Sequence, residues 1–155
     1  MSITIFSKPI HSGKTTELMQ WCDNQTDVQG ILMPDVNGQR MIFNIATQQT
    51  FPIQCTDTNT NEEIITIGKY IFFAAAFQKA NVILLQALHA NPEWLVIDEV
   101  GKLELQSKGF YESAKPLIDH YQNCNKNLML VVRDSLVDEV VAFFGIKNYT
   151  LIHKI

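Results

Sequence analysis

A chain of 155 residues, 46% of them hydrophobic, can bury a sizeable core within one domain, and it contains no apolar run long enough to span a membrane. The formal net charge of −4 gives no basic footprint for nucleic acid, so any polyanion bound must be small and met locally by Lys8, Lys14, Lys102 or Arg133. Cys22, Cys55 and Cys124 are scattered, and His11, His89, His120 and His153 lack ligand spacing; a reducing cytoplasm without structural zinc follows. The start MSITIF lacks the basic and long apolar regions of a signal peptide.

In chain order, Ile3 to Phe6 reads as a short apolar strand and Thr15 to Asp23 as a helix of about three turns. Val28 to Cys55 carries an Asn37-Gly38 pair between apolar runs and ends near Pro52. It reads as an antiparallel hairpin or meander inserted after the first helix, because Asn-Gly suits a type I′ turn. Thr56 to Glu63 is polar without periodicity, hence an exposed loop, and a strand follows around Ile64 to Phe73. The next run predicts a largely buried helix, with Phe77, Val82, Leu84, Leu85 and Leu88 inside and Asn91-Pro92 as its stop.

Trp94 to Ile97 is wholly apolar, the pattern of a parallel strand covered on both faces. Ser107 to Tyr121 predicts a helix, with Pro116 leaving open a kink or two shorter helices. Leu128 to Val132 is another buried strand, Ser135 to Phe144 a helix capped by Gly145, and Tyr149 to Ile152 a last strand. Strands and helices alternate at both ends. The expected fold is therefore α/β, a mainly parallel sheet of about five strands flanked by helices, with an antiparallel hairpin insertion in one domain.

Two segments carry chemistry. SKPIHSGKTTELM, residues 7 to 19, places a loop ending Gly13-Lys14-Thr15 between a strand and a helix, the layout of a nucleotide-phosphate cradle. Such a loop lets backbone N–H groups converge on phosphate oxygens, a lysine reach the β- and γ-phosphates, and a hydroxyl ligate Mg2+. The candidate nucleotide-binding residues are Lys8, Pro9, Ile10, His11, Ser12, Gly13, Lys14, Thr15 and Thr16. Against the pattern G-x-x-x-x-G-K-[ST], Lys8 stands where glycine is usual, and His11 occupies another position often taken by a small residue.

The second segment, LVIDEVGKLELQSKGF, ends an apolar strand in two carboxylates. That puts Asp98 at the carboxyl edge of the sheet, where α/β folds bind ligands. Asp98 with Thr15 is the candidate Mg2+ pair, and Glu99 is the candidate base that orients or deprotonates an attacking water.

DEVGKLEL, the strand before it and the Ser107-Lys108-Gly109-Phe110 run after it resemble the small P-loop nucleoside-triphosphatases first named from a thermophile, whose human relative is the cancer-related nucleoside-triphosphatase. The resemblance extends over most of the chain: GKTTEL after the first strand, the Gly30 strand and its Asn-Gly hairpin, the Ile67-Gly68-Lys69-Tyr70 strand start, the Ala-rich helix, and a strand ending in Arg133. It implies Mg2+-dependent hydrolysis of ATP, GTP and other nucleoside triphosphates to diphosphates, slowly and with little base preference. By the same likeness Lys14 and Thr15 match the phosphate and magnesium positions, Asp98 the metal-side acid and Glu99 the catalytic base. Lys102 and Glu104 match the box too; Lys102 either neutralises γ-phosphate charge or forms a structural ion pair. Arg133 either contacts the γ-phosphate as an arginine finger in cis or pairs with Asp134 or another surface acid.

Two other readings start from the same loop. PIHSGKTTEL also resembles the P-loop of thymidine kinases, although those carry a cysteine-rich zinc lasso and a different run after Asp-Glu. A nucleotide-binding switch without turnover is the other, against which Lys14, Thr15, Asp98 and Glu99 all stand.

Overall fold

The computed structural model describes residues 3–9 and 13–155. Its elements in order are β1 (Ile3–Lys8), α1 (Lys14–Asp23), β2 (Val28–Leu32), β3 (Asp35–Val36), β4 (Gln39–Asn44) and β5 (Gln49–Pro52). A hairpin of β6 (Ile64–Ile67) and β7 (Tyr70–Phe73) leads into α2 (Ala74–Ala90). Then come β8 (Trp94–Asp98), α3 (Tyr111–Tyr121), β9 (Asn127–Arg133), α4 (Val137–Phe144) and β10 (Thr150–Ile152). Among the described residues one sheet of eight strands runs β10-β1-β9-β8-β2-β4-β3, with β5 also on β4. From β10 to β2 every pairing is parallel, and from β4 onward it is antiparallel.

The parallel strands are apolar in both directions because helices cover both faces. Alternate residues sort accordingly. Ile3, Ile5, Leu95, Ile97, Leu128, Leu130 and Val132 join the core beneath α2, α3 and α4. Phe6, Val96, Met129 and Val131 pack with Leu18 of α1 on the other face. No helix among the described residues is long and apolar enough to cross a membrane.

The structure redraws several expected elements. Val28–Leu32 pairs antiparallel with β4 on one side, as a meander would, but on the other it is a parallel strand of the main sheet, in register with β8 from Val28 against Trp94 to Ile31 against Ile97. The expected antiparallel hairpin is β3–β4, with Val36 level with Gln39 across Asn37 and Gly38, which both take positive φ, 55° and 82°, as a type I′ turn requires; β4 also pairs antiparallel with β2 and β5. The strand expected around Ile64 to Phe73 is a hairpin broken at Gly68, whose φ of 56° suits a turn. That hairpin docks on the segment after β5, with the Cys55 N–H donating to the Ile71 carbonyl (2.8 Å) and the Phe73 N–H to the Ile53 carbonyl (2.8 Å).

In α2 the inward stripe is Phe77, Ala80, Asn81, Leu84 and Ala87, and Val82, expected inside, is 54% exposed. The buried Asn81 belongs there because its amide is satisfied: Nδ2 donates to the Gly109 carbonyl (3.0 Å), and Oδ1 accepts from the Ser113 hydroxyl (2.6 Å) and N–H (3.1 Å). This clamp fixes where α3 starts. The helix expected from Ser107 begins only at Tyr111, because Ser107 and Gly109 take left-handed φ of 59° and 63° after a 3-10 turn at Glu104–Gln106. Pro116 lies within α3 on its exposed face, with Glu112, so the carbonyl that loses a helical donor there faces solvent and α3 remains one helix. Likewise α4 starts at Val137, after a 3-10 turn at Asp134–Leu136, and Gly145 caps it with φ of 65°.

Candidate active site

Strand register gathers the expected residues at one edge. β9 lies between β1 and β8, with Phe6 and Asp98 both level with Val131, and Lys8 level with Arg133. The loop after β1, the carboxylates after β8 and the arginine ending β9 therefore share the carboxyl edge of the parallel strands. Asp98 is two residues after Val96, so period-two alternation turns it toward the α1 face, where the first helical turn carries Thr15. There the Thr15 hydroxyl donates to Asp98 Oδ2 at 2.9 Å, and the Met33 N–H donates to the same oxygen at 3.1 Å.

Asp98 is 1% exposed. Burial, then the neighbouring Glu99, push its pKa up to about 6, while the Met33 and Thr15 hydrogen bonds and the charge of Arg40 work against that rise. A buried carboxylate held by a hydroxyl and one amide, yet still short of compensating charge, suits a hard divalent cation. Thr15 and Asp98 supply oxygen ligands of the kind Mg2+ takes. No cluster of three or more His, Cys, Asp or Glu with metal-binding geometry occurs among the described residues.

Gly13 caps α1 in the left-handed region at φ of 81° and accepts the Glu17 N–H through its carbonyl at 3.1 Å. Only a residue without Cβ enters that conformation freely, which leads the chain directly into the helix start. Lys14, 7% exposed, folds back so that its Nζ donates to the Pro9 carbonyl at 3.3 Å and lies 3.9 Å from Glu99 Oε2. The other Glu99 oxygen lies 3.4 Å from Arg133 Nε. Glu99 thus stands between a cation at the start of α1 and one at the end of β9, beside Asp98, to which it is joined by a cis peptide.

Arg133 pairs with Glu99, not with Asp134. Lys102 is exposed and makes no ion pair among the described residues, so the turn-residue pair open in the sequence does not form. Thr16 is exposed in the first turn of α1, while Pro9 contributes its carbonyl. Ile10, His11, Ser12 and the Lys8 side chain lie outside the described residues.

Sequence reasoning missed the Met33 amide, Arg40 and the role of Glu104. Glu104 is 3% exposed and ties its loop together, Oε1 accepting the Gly101 N–H (2.7 Å) and Oε2 the Phe110 N–H (2.9 Å). Gly109 has no room for a side chain, since a Cβ there would strike Glu104 Oε2. The signal was present: a carboxylate followed by Ser-Lys-Gly, residues able to make a tight reversal.

Burial lifts the Glu104 pKa from 4.5 to about 7, against the pull of its backbone hydrogen bonds. The native state then holds this proton more tightly than the unfolded chain. Stability therefore falls as pH rises from 4.5, and the loss is complete above about 7. Asp98 adds a loss of the same sign between 3.8 and about 6. Urea midpoints measured from pH 4.5 to pH 7 should decline, and Glu104→Gln should flatten the upper part of that decline. A wild-type profile that stays level or rises would contradict the assignment.

No curated protein matches the chain. Among solved structures, the fold is similar to the crystal structure of THEP1 from the hyperthermophile Aquifex aeolicus, with a TM-score of 0.76 over 97% of this chain and 88% of that one at 19% sequence identity. At that identity the likeness speaks for the fold alone. The sequence itself matches the family model described as NTPase over residues 4–153, and with that match the chain belongs to the NTPase family.

Proposed function

We propose that the protein is a single-domain Mg2+-dependent nucleoside-triphosphate phosphohydrolase acting on ATP- and GTP-type nucleotides. Family membership supports nucleoside-triphosphatase activity in general terms. The observation that carries the finer reading is the juxtaposition of Thr15 Oγ1 with Asp98 Oδ2 at 2.9 Å and of Lys14 Nζ with Glu99 Oε2 at 3.9 Å. A hydroxyl-carboxylate pair for a cation thus adjoins a lysine-carboxylate pair for the reacting phosphoryl group.

The γ-phosphate is held by Lys14 and by backbone N–H groups at the start of α1, which stabilise oxygens that gain charge in the transition state. Glu99 orients a water for in-line attack on the γ-phosphorus and accepts its proton. As the new P–O bond forms, the bond to the β,γ-bridging oxygen breaks, and its electron pair leaves with the diphosphate. Thr15 and Asp98 would hold Mg2+, which would supply neutralisation of phosphate charge. Arg133, 3.4 Å from Glu99, and Lys102, which lines a cleft with both, stabilise charge developing on the γ-phosphoryl group. Pro9 and Thr16 shape the loop and the first helical turn. The free cysteines Cys22, Cys55 and Cys124 support action in a reducing cytoplasm.

Phosphate release from ATP and GTP tests this reading. Release should require Mg2+, fall to background on chelation, and demand a higher Mg2+ concentration in Asp98→Asn. Added nucleosides should remain unphosphorylated. Formation of a nucleoside monophosphate from them would instead make the protein a kinase.

A further inference from the structure

A cleft of about 280 Å³ opens between the β6–β7 hairpin and the Gly101–Leu103 turn. Glu99 and Arg133 form part of its wall, but none of Pro9, Gly13, Lys14 or Thr15 lines it. It is therefore a neighbour of the phosphate site that shares Glu99, Arg133 and Lys102 with it. Its floor is aromatic: Phe72, Phe77 and Phe110 are buried and pack edge to face, with ring centroids 5.7 Å apart for the first pair and 5.2 Å for the second.

Its rim is cationic. Arg40 and Lys69 approach the Tyr70 ring, at 6.0 and 5.5 Å from the centroid, and Lys102 stands on the turn opposite. None of these three makes an ion pair among the described residues. The two carboxylates in the lining are already engaged, Glu99 by Lys14 and Arg133, and Glu104 by the Gly101 and Phe110 N–H groups. Lys69 and Lys102, without an ion-pair partner among the described residues, and Arg40, whose charge also reaches Asp98, thus ring an aromatic hollow in a chain whose net charge is −4.

We propose that this cleft binds a second small molecule, a nucleoside monophosphate, with its ring against Tyr70 and the phenylalanine floor and its phosphate among Lys69, Lys102 and Arg40. The hollow lies near the lower end of ligand-pocket sizes, roughly 300–1,000 Å³, which favours a ligand with one ring system and one anionic group. A flat ring gains contact on aromatic side chains, and a phosphate gains charge-assisted hydrogen bonds from the lysines and arginine. Inorganic phosphate would leave the apolar floor uncovered. A neutral nucleoside would leave the cations unpaired. Binding here does not rest on hydrolysis, since it needs no turnover.

The test is calorimetric titration of a panel of nucleoside monophosphates into the protein saturated with Mg2+ and a nucleoside diphosphate, whose own titration reports separately on the phosphate loop. At least one monophosphate should bind, at least about tenfold more tightly than its nucleoside or inorganic phosphate. Amide NMR shifts on binding should centre on Ile67 to Phe72 and Gly101 to Leu103. Lys69→Glu, at an exposed hairpin turn, should weaken the monophosphate at least about tenfold while leaving diphosphate affinity unchanged. Absence of binding, phosphate binding as tightly as the monophosphate, displacement of the monophosphate by saturating diphosphate, or no effect of Lys69→Glu would each overturn the proposal.

Discussion

Glu99→Gln should lower kcat for nucleoside-triphosphate hydrolysis by about a hundredfold to ten-thousandfold while nucleotide affinity stays within about threefold. Glutamine matches the size of Glu99 and keeps one oxygen that can face Lys14 or Arg133, but it cannot accept a proton from water. A purely electrostatic role, in which Glu99 only positions Lys14 at 3.9 Å and Arg133 at 3.4 Å, predicts a different split. Loosening those cations would raise KM and leave kcat nearly intact. Steady-state kinetics over a range of Mg2+-nucleotide concentrations separates the two outcomes, because KM and kcat then move independently.

The second large effect lies in the sheet. Gly30 in β2 sits level with Val96 in β8 at φ of 120°, and a Cβ there would strike the Val96 carbonyl oxygen and lie 2.7 Å from its nitrogen. Backbone in that region is nearly closed to residues with a Cβ, and the obstacle is main chain, which cannot swing aside. Gly30→Ala should cost about 3–5 kcal/mol, a large part of a typical stability of about 5–15 kcal/mol, and lower the melting temperature by about 10 °C or more. Gly38 is the control. Its φ of 82° is also positive, but nothing lies within 4 Å of the point where an alanine methyl would stand, so Gly38→Ala should cost only about 1 kcal/mol. Equal melting temperatures for the two variants would refute this account of the β2–β8 contact.

What was legible in the sequence follows from how local each signal is. The phosphate loop and the strand ending in Asp98-Glu99 are short patterns in which neighbouring residues carry the whole message, and the Asn37-Gly38 turn is similar. The place of Val28–Leu32 was not legible, because its parallel partner β8 is distant in sequence and the nearer Asn-Gly turn suggested a hairpin. Glu104 was visible only as a member of a motif; its capture of two backbone N–H groups requires the reversal at Ser107 and Gly109. The cleft was invisible for the same reason. Arg40, Tyr70 and Lys102 come from three separate segments, and the docking of the β6–β7 hairpin beyond β5 helps bring them together. Periodicity misplaced Val82 because α2 is apolar nearly all round, and the satisfied amide of Asn81 marks the true inward face.

Hydrolysis in water enriched in heavy oxygen tests the central claim most directly. With Mg2+-ATP, mass spectrometry should find one solvent oxygen in the inorganic phosphate and none in the diphosphate, as attack on the γ-phosphorus requires, and Lys14→Ala should abolish the signal. Label in the diphosphate, or a wild-type protein that binds Mg2+-ATP and releases no labelled phosphate, would contradict it.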